Sequence, residues 1–406
     1  MTPKEFHPVL VRGISICLKD IFEEGFYSDK VLERTFRNNR KWGGRDRRFV
    51  AETVYSITRW WGLLCYFLEK IPENQNDYLF LWGIYEGWQN KQDVSEFLFK
   101  NFSLDFKFER FKRRIEEKKE NYLDVAFPQW LYERFEASHG RNTSQLLISL
   151  NQAAPVYLRT NRLKIDRNSL QKLLQNEKIP TQFGSLEDSL ILESRQNVFT
   201  TQAFKAGFFE VQDQGSQRVS ILLDPKPGER IADMCAGAGG KTLHLAALMN
   251  NKGSLLAADV SERKLSELKK RSRRAGVSNL RIQPITNSKS TKRLAHSFDG
   301  VLIDAPCSGS GVLRRNPDTK WKLSEDDLIR LKVLQLDILN SYSKLVRPGG
   351  RLVYATCSLL DEENSAQIER FLSDNGDFRV EGDSLRTDPA KDNEDGFFAQ
   401  KLRRNT

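Results

Sequence analysis

Phe298-Asp299-Gly300-Val301-Leu302-Ile303-Asp304-Ala305-Pro306-Cys307-Ser308-Gly309 and Gly350-Arg351-Leu352-Val353-Tyr354-Ala355-Thr356-Cys357-Ser358 are two apolar runs that each end in a cysteine. Both are short, rich in β-formers and closed by small, turn-forming residues, the pattern of a strand buried on both faces. Between them, residues 324–346 carry leucine, isoleucine and valine at helical spacing, and Pro348-Gly349-Gly350 stops the helix. Strand, helix, strand predicts a parallel pair. As sheet neighbours, these strands would bring Cys307 and Cys357 out at one edge, within roughly 5–10 Å of each other. In α/β sheets that carboxyl edge is where ligands bind. Two thiols and the acid Asp304 converge there.

Upstream, Arg230-Ile231-Ala232-Asp233-Met234-Cys235 reads as the first strand of the sheet. It runs into Ala236-Gly237-Ala238-Gly239-Gly240-Lys241 and a helix through Leu243, Leu245, Ala246 and Leu248. Glycines at a strand-to-helix turn admit a ligand close to the backbone and leave helix amides free for an anionic group. Residues 254–260 form a second strand that carries Asp259, twenty residues past Gly239. An acid at that edge can take both hydroxyls of a ribose. A nucleoside-bearing ligand is expected; a turn that serves only tight packing is the alternative. A dinucleotide fingerprint spaces its glycines as GxGxxG, which this loop does not. S-adenosyl-methionine has no phosphates, and its carboxylate suits the same amides. Hydride transfer has no use for paired thiols. Methylation at pyrimidine C5 needs a nucleophile on C6, and a thiolate is the side chain best suited to add there.

Asp233-Met234-Cys235-Ala236-Gly237-Ala238-Gly239-Gly240-Lys241, Asp304-Ala305-Pro306-Cys307-Ser308-Gly309 and Ala355-Thr356-Cys357-Ser358 together resemble the RNA (cytosine-5) methyltransferases of the Sun/Fmu family. Gly311-Val312-Leu313-Arg314-Arg315-Asn316-Pro317-Asp318, Glu362-Glu363-Asn364-Ser365 and Asp395-Gly396-Phe397-Phe398 extend the likeness over most of residues 150–406. The resemblance implies an α/β fold: a class I, Rossmann-like methyltransferase domain over residues 224–406. It implies S-adenosyl-methionine bound by Cys235, Ala236, Gly237, Ala238, Gly239, Gly240, Lys241, Asp259 and Asp304. Cys357 is the implied nucleophile, and Cys307 the thiol that helps expel it from the methylated product. Asp304 is implied to contact the base near N3 and its 4-amino group. Exchanged roles for the two cysteines, as in DNA enzymes of similar chemistry, and two inert buried thiols are the competing readings. Two departures stand out. Ala238 holds a loop position where the family usually has proline, and Asn287 lies where an acid usually meets the adenine amine.

Residues 1–126 read as helical, with Val50, Val54, Ile57, Trp61, Leu64 and Leu68 at helical spacing. Arg37, Arg40, Lys41, Arg45, Arg47 and Arg48 surround a Trp42-Gly43-Gly44 turn, and Arg110, Lys112, Arg113 and Arg114 form a second knot. Both are candidates to grip phosphates, against the reading of solvated helix faces. This region looks like the all-α NusB-type RNA-binding domain of bacterial members that act on 16S ribosomal RNA. Residues 127–223 read as a small α+β subdomain of RRM or ferredoxin-like type. In it, residues 156–165 alternate as a strand, Asp166 sits at an N-cap, and Leu190-Ile191-Leu192 is a further strand. The helix over 261–274 carries Arg263, Lys264, Lys269, Lys270, Arg271, Arg273 and Arg274, read as a solvated face with RNA contact as the alternative.

The composition fits this reading. A chain of 406 residues with 39% hydrophobic and 29% charged residues suits folded domains rather than disorder. No apolar run approaches a membrane span, and residues 1–10 lack signal-peptide shape, so a cytoplasmic protein is expected. Five cysteines, odd in number and sparse, argue for free thiols; without CxxC spacing and with four scattered histidines, no metal site is expected. Cys17 and Cys65 read as core residues. A net charge of +10 and a pI near 9.2 fit a polyanionic partner. The expectation is a monomeric methyltransferase acting on 16S ribosomal RNA or a small-subunit assembly intermediate. Transfer RNA is the alternative substrate. A non-catalytic assembly factor and a nicotinamide-dependent oxidoreductase are the rivals from other classes.

Overall fold

A computed structural model of the chain describes residues 6–109, 111, 121–286 and 292–406. They form two compact units, Met1–Gln152 with Leu313–Leu323, and Ala153–Val312 with Ser324–Thr406. No helix among the described residues is long and apolar enough to cross a membrane.

The first unit is helical: α1 (Pro8–Phe22), α2 (Ser28–Asn38), α3 (Gly44–Leu68), α4 (Gln75–Gln89), α5 (Ser95–Phe102), α6 (Gln129–His139) and α7 (Thr143–Leu150). One stripe of α1 (Val11, Ile14, Cys17, Leu18, Ile21) packs with Val50, Val54, Ile57 and Leu64 of α3 and with Tyr78, Leu81 and Trp82 of α4. That is the burial a three-to-four-residue spacing dictates. Cys17 belongs to this core, as expected, and Cys65 is partly buried and packs against it. Residues 313–323 complete it. The Trp321 indole donates to the Thr58 carbonyl (2.7 Å) and lies so near Gly62 that a Cβ there would meet the ring at 2.6 Å. Lys320 is buried, donates to Asn151 (2.9 Å) and sits 4.0 Å from the Phe127 ring; burial pushes its ammonium well below lysine's usual range.

The second unit opens with an antiparallel sheet in the order β2-β3-β1-β4: β1 (Tyr157–Thr160), β2 (Thr181–Phe183), β3 (Ser189–Leu192) and β4 (Phe209–Val211). Helix α8 (Arg167–Asn176) starts where expected, with Asp166 accepting from the Ser169 amide (3.0 Å). The strand expected over 156–165 is shorter, and all four residues of β1 are buried. Alternation breaks because Arg159 turns inward and donates to the Gly240 carbonyl (2.8 Å). Past the end of β1, Asn161 donates to the carbonyls of Gly207 and Ala275 (2.8 Å each).

The larger sheet follows α9 (Gln214–Leu223). Its elements are β5 (Arg230–Asp233), α10 (Gly240–Leu248), β6 (Ser254–Asp259), α11 (Glu262–Ala275), β7 (Leu280–Pro284), β8 (Phe298–Asp304), α12 (Glu325–Ser343), β9 (Val346–Thr356), α13 (Ser365–Asp374), β10 (Phe378–Val380), β11 (Leu385–Arg386) and β12 (Phe398–Arg404). The strand order is β10-β12-β9-β8-β5-β6-β7, with β11 paired to β12. Strands β5 to β9 are parallel and β12 runs against β9. Ile231, Leu255, Leu302 and Val353 pack on one face, and Ala232, Val301, Ile303 and Tyr354 on the other. Two covered faces explain the unbroken apolar runs. The order reverses at β5, which opens a crevice at the carboxyl edge. Helix α12 ends at Ser343, and Pro348-Gly349-Gly350 lies inside β9 rather than ahead of it. The ladder there jumps from Phe298–Val346 to Gly300–Arg351, an irregularity that relieves proline of a ladder hydrogen bond.

Candidate active site

Strands β8 and β9 end level, Asp304 opposite Ala355, so the turns that follow carry their cysteines to one place. The Cys307 and Cys357 sulfurs are 3.4 Å apart and both are partly exposed. A hydrogen bond to Cys357, then burial, push the Cys307 thiol well above its ordinary range. Both turns are tied to Glu363, which is fully buried. One of its oxygens accepts from the Ser308 amide (2.8 Å) and from Gln335 (2.9 Å); the Ser308 and Ser358 hydroxyls reach the other (2.5 Å each). Asn364 accepts from Thr356 (2.5 Å) and donates to the Ser358 carbonyl (3.0 Å). The Gly311 amide donates to the Cys357 carbonyl (2.9 Å), and the Gly396 amide donates to that of Gly311 (2.8 Å). A Cβ on Gly311 would lie 1.9 Å from the Gly396 oxygen.

Beside the sulfurs, the Lys241 ammonium pairs with Asp304 (2.7 Å) and sits 4.9 Å from the Phe397 ring centre. Burial works against this ammonium, yet the charge and hydrogen bond of Asp304, with Cys357 and Asp233 near, leave it above lysine's usual value. Lys241, expected among the cofactor residues, engages Asp304 here. Asp233, at the end of β5, is buried, and its carboxyl is pushed up to about 7 by burial; the Thr242 hydroxyl (2.7 Å) opposes the rise.

The glycine turn joins β5 to α10. Asp259, at the end of β6, accepts from the amides of Gly237 and Ser261 (2.8 Å each), which aligns its carboxylate with the turn. Gly239 has φ 88°, and a Cβ there would meet Leu268 at 2.1 Å, so only glycine fits. Ala238, at the position where the family usually has proline, is held by Arg271 of α11, which donates to its carbonyl (2.7 Å). Arg271 and Arg274 also share the carboxylate of Glu210 (2.9 and 2.5 Å). The turn opens onto a cleft of about 530 Å³, a size that suits a nucleoside ligand. Of the expected cofactor residues, Cys235, Ala236, Gly237, Ala238, Gly240, Lys241, Asp259 and Asp304 line it, and Gly239 does not. Val260, Ile285, Ile338 and Tyr342 add an apolar wall, so the residues present fit S-adenosyl-methionine.

Asn287 and the knot of Arg110, Lys112, Arg113 and Arg114 lie outside the described residues. Arg37, Arg40, Lys41, Arg45 and Arg48 are exposed, whereas Arg47 donates to the Trp42 carbonyl (3.0 Å). On α11, Arg263, Lys264, Lys269, Lys270 and Arg273 are exposed, and Arg271 and Arg274 face inward to Glu210. Sequence reasoning gave Arg271 and Glu363 no part in the site. A basic residue on the same helical face as buried Leu268 was the signal for the first. For Glu363, only its place between a cysteine turn and a helix start hinted at a role.

The family described as "16S rRNA methyltransferase RsmB/F" matches residues 220–403, and the ferredoxin-like domain of RsmF/B-like methyltransferases matches residues 127–199. The probable ribosomal RNA small subunit methyltransferase B of Synechocystis sp. is 31% identical over 96% of this chain and 98% of its own length. The ribosomal RNA small subunit methyltransferase B of Enterobacter sp. is 34% identical over 72% of this chain and 71% of its own. The crystal structure of PH0851 matches with a TM-score of 0.81 at 26% identity, covering 99% of this chain and all of that one. A methyltransferase homologue from Pyrococcus horikoshii matches with a TM-score of 0.63 at 30% identity, over 70% of this chain and 97% of its own. With a fold of the Rossmann-like methyltransferase type and a relative aligned over nearly its whole length, the chain belongs to the RsmB/F (Sun/Fmu) family of S-adenosyl-methionine-dependent 16S ribosomal RNA methyltransferases.

Proposed function

We propose that the chain methylates C5 of a cytosine in 16S ribosomal RNA through a transient bond between Cys357 and C6 of the ring. The observation that carries this reading is the 3.4 Å pairing of the Cys307 and Cys357 sulfurs at the carboxyl edge of β8 and β9, beside Asp304. S-adenosyl-methionine, when bound, supplies an electrophilic methyl group. Asp259 and the glycine turn hold its nucleoside end. C5 of cytosine is a poor nucleophile until Cys357, as thiolate, adds to C6 and makes C5 an enamine carbon. Asp304 contacts the base near N3 and its 4-amino group, and the Lys241 ammonium paired with it offsets the negative charge that thiolate addition places on the ring. After methylation the C5 proton leaves to a base or to water, the C6–sulfur bond breaks, and the Cys307 thiol hydrogen-bonds the departing sulfur. A base inside a duplex cannot present both ring faces, so the target is unpaired or flipped out. The helical unit, read as NusB-like, contributes its exposed Arg37–Arg48 cluster to phosphate binding.

Replacing Cys357 with alanine is expected to abolish methyl transfer to small-subunit RNA; full activity in that variant would remove the covalent step. Cys307→Ala is expected to trap RNA in a denaturant-resistant adduct seen on a gel. Release would belong to another group if none forms.

A further inference from the structure

The carboxyl of Glu363 has four donors around it. The Ser308 amide, the Gln335 amide group and the Ser308 and Ser358 hydroxyls all meet its two oxygens. Four donors are the full complement of an ionised carboxylate, and all of these are neutral. The adjacent acid, Glu362, takes the nearby cation Lys332 (2.5 Å). A buried charge met only by dipoles acts strongly on its neighbours. The two serines are the residues that directly follow the two cysteines, so one carboxylate spans both turns. It grips them unequally, with the amide and hydroxyl of Ser308 on the Cys307 side and a single hydroxyl on the Cys357 side.

We propose that Glu363 is a positioning residue that sets the spacing of the sulfur pair and, through its charge, keeps the proton on Cys307, so that Cys357 is the sulfur free to attack. This rests on the reading of Cys357 as nucleophile. The other titratable groups around the pair are Tyr354 on β9, Asp304 on β8 and Lys241 on α10. The hydrogen bond to Cys357, burial and the charge of Cys357 hold the Cys307 thiol up first, and the nearby Glu363 carboxylate adds to them, whereas the Lys241 cation acts toward Cys357. The bond from Glu363 to the Ser308 amide also occupies a donor that sits one residue beyond Cys307.

The test is the rate of alkylation of each cysteine by iodoacetamide against pH, read by peptide mass in the full-length protein. In the unsubstituted protein Cys357 is expected to react at lower pH than Cys307. In Glu363→Gln, which keeps the size and can reuse the same partners, alkylation of Cys307 at pH 8 is expected to rise about tenfold, the effect of one pKa unit on its thiolate fraction. Glu363→Asp keeps the charge but withdraws it, so Cys307 should stay slow while methyl transfer falls about tenfold or more. An unchanged Cys307-to-Cys357 ratio in the glutamine variant overturns the proposal. So does an unsubstituted protein whose Cys307 reacts as readily as Cys357, a measurement that needs no variant to fold. Failure of the nucleophile reading shows up separately, as methyl transfer surviving Cys357→Ala.

Discussion

A carboxyl group removed from water and given one hydroxyl donor is costly to ionise, and Asp233 is in that position at the head of the glycine turn. Burial, with Asp304 adding to it, holds its carboxyl up at about 7, against Thr242 and Lys241. The folded value lies above the roughly 3.9 of an unfolded chain. Its contribution to stability is therefore complete at low pH and is lost as pH rises through about 7. Asp233→Asn keeps an oxygen for Thr242 and carries no charge. Scanning calorimetry is expected to show Tm falling between about pH 4 and 7 in the unsubstituted protein and a flatter profile in the variant. Parallel profiles would mean that Asp233 ionises without cost. At this scale the sequence discloses what a side chain can do. The placement of Cys307, Cys357, Asp304 and Asp259 was legible because strand ends and turn residues fix where they emerge. The state of Asp233 and the hydrogen-bonded place of Glu363 were not, because they depend on which groups converge from residues distant in the chain.

Elements decide how firmly those side chains are held. Arg271 reaches from α11 to the Ala238 carbonyl, a charge-assisted bond of about 1.5–3 kcal/mol in general. Arg271→Ala is expected to weaken S-adenosyl-methionine binding about tenfold or more by calorimetric titration, with the fold intact, because 1.4 kcal/mol is tenfold in affinity. Unaltered affinity would show that the turn keeps its shape without the arginine. The crossing of Gly311 and Gly396 under the Cys357 turn leaves no room for a methyl group. Gly311→Ala is expected to cost about 1–3 kcal/mol of stability and to remove methyl transfer while cofactor binding persists. Periodicity made the helices and the parallel strands readable. It failed at Pro348-Gly349-Gly350, whose residues are breakers by intrinsic preference, because a register jump in the ladder accommodates them within β9. It overran at β1, where a buried arginine stands in for an apolar residue.

For the molecule as a whole, the excess of 64 Lys and Arg over 54 Asp and Glu residues governs long-range attraction to a polyanion. The logarithm of RNA affinity is expected to fall steeply and linearly with the logarithm of salt concentration. Replacing Arg37, Arg40, Lys41 and Arg45 with alanine should flatten the slope by roughly 0.7–0.9 for each phosphate that is no longer neutralised. A slope untouched by all four changes would assign RNA binding elsewhere. Charge and class were open to reading at this scale, but the return of residues 313–323 to the helical unit was not, since nothing local marks a loop that completes a distant core. That return has a bearing on how the protein is made. The notch over Gly62 waits for Trp321, which leaves the ribosome only after β1 to β8 have been translated. At about 5–20 residues per second the wait is on the order of ten seconds or more, during which the nascent helices keep an apolar slot open to chaperones. For the same reason, recombinant halves divided at residue 152 would each inherit a defect, the first lacking its plug and the second carrying an unsheltered tryptophan.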